Sequence, residues 1–237
     1  MSATRHGDAD LAQARLHAWH RARPSQPDWH RLESAQGLAA FLEIAREEPF
    51  GPWLAGLDEP RWLHAIDATL AAAFGSIAWR FASWFPPAAR APIERLATLP
   101  GLAVRQHLAS GGGVEAWMPG VAGAFEAGEP TPGGLDAFAA DWLSRWPGGP
   151  DAAATAAARE LVATMQALRE AQRIPAGRER ELRLASIRGR VETLFRRSAG
   201  TPLAACVELC GLALAMLRLR SGLVRRVLEE RAVSVST

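Results

Sequence analysis

Apolar positions recur along this chain at intervals of three and four residues, and that spacing predicts helices almost throughout. Asp10 to Arg21 places Leu11, Ala12, Leu16 and Trp19 along one side, with Arg15 falling inside the stripe. Ser34 is set to cap a helix in which Leu38, Phe41, Leu42 and Ala45 follow at i, i+3, i+4 and i+7. Asp58 is set to cap the next, with Pro60 tolerated in its first turn. Leu63, Ile66, Leu70, Phe74, Ile77, Phe81 and Trp84 then hold one face for about six turns, up to Pro86-Pro87. Ile93, Leu96 and Leu99 mark a short helix, and residues 102–108 suit another. Later, Asp151 opens an alanine-rich helix carrying Leu161, Met165 and Leu168. Ile174-Pro175-Ala176-Gly177 breaks it, and Leu184, Ile187, Val191, Leu194 and Phe195 line the next. Gly200-Thr201-Pro202 precedes a long final helix, predicted from Pro202 to Arg231. No period-2 alternation of the strand kind stands out.

One break in this pattern is unusual. In FLEIAREEPFGPWLAGL, residues 41–57, two prolines and a glycine within four residues stop the helix. The same break carries Phe50 and Trp53, where polar turn residues would suffice. The expectation is that both rings fold back between the ending helix and the long helix that follows. Gly51 then supplies the tight bend.

Residues 110–150 differ in texture. SGGG, MPG, EPTPGG and PGGP punctuate them, leaving room only for short helices such as Leu135 to Trp146, with Phe138 and Trp142. The predicted fold is all-α. Two diverged helical units, residues 1–110 and 151–237, are joined by a Gly/Pro-rich connection at 111–150 with some packed structure of its own. Leu63 to Trp84 followed by Pro87 and a helix echoes Leu184 to Phe195 followed by Pro202 and a helix. Duplication and a generic helix–turn–helix pattern both account for that echo.

Composition alters this picture little. The chain has 237 residues, 49% of them hydrophobic, which is enough for a sizeable core. All 27 basic residues are arginine, and lysine, asparagine and tyrosine are absent, the mark of a GC-rich coding sequence. Charge is polarised: 12 arginines face 16 carboxylates in residues 1–150, and 15 face 9 in residues 151–237. The halves are therefore −4 and +6, consistent with the overall +2 and suited to unlike partners. Cys206 and Cys210 lie four apart on a predicted helix and read as small apolar residues rather than a disulfide framework. MSATRHGDADLAQ has no apolar stretch of the signal-peptide kind. The longest apolar run, Pro202 to Leu217, is interrupted by Glu208 and is shorter than the roughly 20 residues a span requires. The expected setting is the cytoplasm.

No catalytic constellation, cofactor box or metal motif emerges. His17 and His20 are spaced i, i+3, but no further ligand completes a zinc site and Arg21, Arg23 and Arg31 surround them. Gly111-Gly112-Gly113 lacks the strand that precedes a phosphate loop. No GxSxG occurs. Arg218, Arg220, Arg225 and Arg226 form the densest basic cluster. The bland reading is a solvated helix face; the functional one is contact with an acidic protein surface. Nucleic acid is disfavoured because no aromatic stacking platform accompanies these arginines.

The segment ARLHAWHRARPSQPDWHRLESAQGLAAFLEIAREEPFGPWLAGL resembles the opening of the C-subunit family of V/A-type rotary ATPases, whose vacuolar members are called d-subunits. Pro49-Phe50-Gly51 stands where that family has a Thr-Tyr-Gly-like turn, and Trp29 and Leu32 stand in the preceding segment. The long helix and the Pro87 to Leu108 hairpin continue in order, and Thr201-Pro202-Leu203 leading to MLRLRSGLVRRVL is similar to the family's arginine-rich closing helix. The family is built from three related helical domains, so this chain is similar to a short, diverged member lacking one. The resemblance implies a non-catalytic, cofactor-free central-stalk adaptor. It would couple the membrane proteolipid ring to the central shaft for ion transport, peripheral on the cytoplasmic face and touching membrane only through the ring. Two other readings stand beside it. One is a helical scaffold unrelated to rotary ATPases. The other is an enzyme assembled from scattered residues such as His17, His20, His30 and His64.

Overall fold

The computed structural model describes residues 3–57, 63–101, 134–146 and 152–235. Among these the fold is all-α, with no strand. The helices are α1 (Ala3–Arg21), α2 (Gln26–Glu33), α3 (Gly37–Ala45), α4 (Leu63–Ser83) and α5 (Pro87–Leu96), then α6 (Gly134–Ser144), α7 (Ala152–Arg173), α8 (Arg178–Arg197) and α9 (Leu203–Val235). Short 3-10 turns lie at Gly51–Trp53 and Leu99–Gly101. The caps expected at Asp58 and Asp151, the helix at 102–108, the triple glycine and most of the Gly/Pro-rich connection lie outside the described residues.

Helix α9 organises the fold. Its 33 residues span about 50 Å at 1.5 Å per residue. From Leu203 to Cys210 every side chain is buried, so this stretch is enclosed on all sides rather than amphipathic. α9 packs against α8 and α7 from the second half of the chain and against α1, α3, α4 and α5 from the first. The buried apolar residues accordingly form one cluster running from Ala12 to Val227. α6 lies between α5 and α7, and the Trp142 indole donates to the Pro92 carbonyl at 2.8 Å.

The break after α3 is packed as its aromatics demand. Phe50 is 1% exposed and Trp53 is buried beside it, while the 3-10 turn lies against α4. Phe50 meets Trp29 edge to face at 4.8 Å and Trp53 at 6.0 Å. Burying each ring contributes on the order of 2 kcal/mol. Gly51 is required by close approach: a Cβ there would stand 2.3 Å from the Arg46 carbonyl oxygen.

Two expectations need correction. Ser34 does not cap α3: it closes α2, with its amide donating to the His30 carbonyl, and Gln36 takes the N-cap position of α3. Leu11 is 51% exposed, because the buried line of α1 is Ala12–Leu16. Leu11, Arg15 and Trp19 form the adjoining i, i+4 row instead.

Candidate functional site

The C-terminal arginines do not form one solvated face. Arg226 is 3% exposed and is clasped by the turn between α2 and α3. Its Nη2 donates to the Glu33 carbonyl at 3.0 Å and the Ala35 carbonyl at 2.9 Å, and its Nη1 to Gly222 at 3.2 Å. The guanidinium lies over Phe41, 4.1 Å from the ring centre. Burial holds Arg226 below the usual arginine range, and neighbouring Arg225 acts in the same direction. Arg218 donates to Glu33 at 2.7 Å and covers Trp29 at 4.4 Å. Arg220 grips Asp67 of α4 with two bonds of 2.5 and 3.0 Å, and that hydrogen bonding raises it above its ordinary value. Arg225 remains exposed, 3.8 Å from Glu229. Of the four candidate partner-binding arginines, three are committed to this chain's own helices.

The densest buried charge lies elsewhere, around Glu208, which is 0% exposed in the apolar part of α9. The end of α1 and the turn after it reach over to satisfy it. Arg23 Nε donates to Glu208 Oε1 at 2.5 Å, and Arg23 Nη2 to the Glu208 backbone carbonyl at 3.1 Å. Arg23 Nη1 reaches Glu192 of α8 at 3.2 Å. His20 Nδ1 stands 2.9 Å from Glu208 Oε2, and its Nε2 3.3 Å from Glu192. Both nitrogens can donate at once only in the imidazolium form. The His20 ring stacks on Phe195 at 4.3 Å, and His17 meets the same ring edge-on at 5.5 Å. Gly211 makes the clasp possible, since a Cβ there would fall 2.3 Å from the Arg23 guanidinium.

The turn that presents Arg23 is held by a capping box. Ser25 Oγ accepts from the Asp28 amide, and Asp28 accepts from the Ser25 amide at 2.7 Å. The hydrogen bonds from Ser25 keep Asp28 below the usual carboxylate range.

An open cleft of about 440 Å³ lies over this network, lined among others by His20, Arg23, Trp29, Arg188, Glu192 and Arg218. Its lining includes no hydroxyl, thiol or amine that could act as a nucleophile. Both carboxylate oxygens of Glu208 and both ring nitrogens of His20 already face partners on other elements. His30 pairs with Gln26 on the exposed side of α2, and His64 stands on α4. Among the described residues no group of three or more His, Cys, Asp or Glu is arranged to hold a metal ion. Burial raises the Cys206 thiol far above its ordinary range and Cys210 to about 12, so both are poor nucleophiles.

No family model matches the chain, and no curated protein or solved structure matches it. Among the described residues no helix is long and apolar enough to cross a membrane. Sequence reasoning missed the Glu208 network. The one signal that pointed to it was a lone carboxylate inside an apolar helical run, because such a charge needs a partner.

Proposed function

We propose that this chain is a non-catalytic helical adaptor, and specifically a central-stalk component that couples a membrane proteolipid ring to a rotating shaft. The supporting observation is the bracing of α9 at two levels. Glu208 is clasped by the end of α1, and Arg226 by the α2–α3 turn. These levels are 18 residues apart on one helix, about 27 Å. Directional charged hydrogen bonds at both levels resist sliding of α9 past the helices around it, which a part transmitting torque requires. In this reading the protein is peripheral, held on the cytoplasmic face through the ring, and Arg225 is the member of the arginine cluster free to meet a partner.

The test is recovery of the tagged protein from its own membranes in mild detergent, followed by mass spectrometry. The expected result is co-recovery of a proteolipid ring and shaft proteins, weakened by Arg225→Glu. Recovery with soluble proteins alone would replace the stalk with a scaffold. Recovery of the protein without any companion would remove the adaptor reading altogether.

A further inference from the structure

The outer side of α1 and α4 carries a reciprocal arrangement that neither helix reveals alone. Arg15 and Trp19 are i, i+4 on α1; Arg80 and Trp84 are i, i+4 at the end of α4 and just beyond it. Each arginine lies over the other element's indole, Arg15 over Trp84 at 5.9 Å and Arg80 over Trp19 at 5.7 Å. Phe81 sits between the two rings, stacked on Trp84 at 5.0 Å and edge-on to Trp19 at 5.4 Å. Beside Arg80, Trp79 is 53% exposed, the only tryptophan among the exposed large hydrophobics of the described residues.

The stretches of chain that build this face carry charge of one sign. Residues 11–25 and 68–93 contain no aspartate or glutamate and five arginines between them. Of these, Arg23 is spent on Glu208 and Arg90 donates to the Phe85 carbonyl at 2.8 Å. Arg15 and Arg80 are both exposed and, among the described residues, hold no carboxylate partner, only indole faces. At 5.7 to 5.9 Å each guanidinium is within cation–π reach of a ring, which restricts it while its N–H groups stay free to donate to a carboxylate. Tryptophan and arginine are also the residue types that dominate interface energetics.

We propose that this face docks an acidic segment of a partner protein, with carboxylates on Arg15 and Arg80 and an apolar side chain over Trp79. Single-stranded nucleic acid fits less well. Binding of that kind stacks successive bases on open rings, whereas Trp19 and Trp84 are half-buried against Phe81 with an arginine near each, and of these three indoles only Trp79 is exposed. The proposal rests on the adaptor reading only in taking the partner to be a protein.

The experiment uses the full chain and a fluorescein-labelled amphipathic peptide of glutamate and leucine, about 20 residues long so that it can form a helix. Fluorescence anisotropy measures binding, and an oligothymidylate serves as the rival ligand. Arg15→Glu/Arg80→Glu should weaken peptide binding by roughly tenfold or more, and Trp79→Ala by about fivefold. Arg183→Glu/Arg190→Glu makes the same change in net charge at exposed positions of α8 and should cost less than about twofold. Circular dichroism checks the fold of each variant, and the exposed Trp79→Ala keeps the test informative if the double reversal unfolds. Equal losses in both double variants, tighter binding of the oligothymidylate, or no peptide binding would overturn the proposal. Peptide binding without membrane recovery would leave this surface standing and remove the stalk; the reverse outcome would do the opposite.

Discussion

Helix α9 buries two charges of opposite sign and satisfies them by different means. Glu208 is met by other charges: Arg23 and His20, with Glu192 behind them. Arg226 is met by backbone carbonyls and an aromatic face, with no carboxylate of the described residues within bonding distance of its guanidinium. A buried carboxylate needs donors of its own, and strong ones come from cations. A buried guanidinium can be served by the carbonyls that a helix leaves unpaired at its end. The Glu33 carbonyl in the last turn of α2, and the Ala35 carbonyl just beyond, are such acceptors, so one arginine both closes a helix end and anchors α9. In both cases the partners come from the N-terminal helices, and both contacts span more than 180 residues of sequence.

Breaking the acidic end should cost most. Glu208→Ala leaves Arg23 and His20 facing an apolar helix and should destabilise by about 4 kcal/mol in chemical denaturation. Reaction of Cys210 with a thiol reagent gives a second readout. Its thiol, pushed up to about 12, should label only through opening, and faster in this variant. Phe50→Ala calibrates the comparison with a purely apolar loss in the N-terminal half and should cost about 3 kcal/mol. An unchanged melting temperature would contradict the packing of the turn against α4. Arg226→Met removes the guanidinium from over Phe41, strands two carbonyls of the α2–α3 turn and should cost about 2 kcal/mol, with little dependence on salt. Glu208→Ala should by contrast lose part of its cost as salt rises, because half-exposed Glu192 shares its network. Arg225→Glu is the smallest: its exposed, long contact with Glu229 should change stability by less than about 0.5 kcal/mol. A drop as large as that of Arg226→Met would mean that the two neighbours are not as differently placed as their surroundings make them.

Much of the architecture was legible in the periodic residues. Ile66, Leu70, Phe74, Ile77 and Phe81 of α4 are all buried, as are Leu161, Met165 and Leu168 of α7 and Ile187, Val191, Leu194 and Phe195 of α8. Phe50 and Trp53 revealed themselves by being too large for a turn. Ser25-Gln26-Pro27-Asp28 also carries a readable signature, a capping box with proline in the first turn. The basic cluster could not be resolved this way, because Arg225 and Arg226 look alike in sequence and differ by one helical step of about 100°. That step separates solvent from the α2–α3 turn.

Local order in this protein follows from sequence alone: helix, break, buried face and the refusal of Pro49 to Trp53 to continue a helix. These depend on neighbours within a turn or two, where propensity and spacing act directly. Which charges are spent and which are free was settled only by tertiary structure. The partners of Glu208, Arg226, Arg220 and Arg15 lie 69 to 193 positions away, and no local rule selects among 27 arginines and 25 carboxylates. Electrostatic pairing is decided by distance and burial in space, and α9 creates both by gathering the other helices around it.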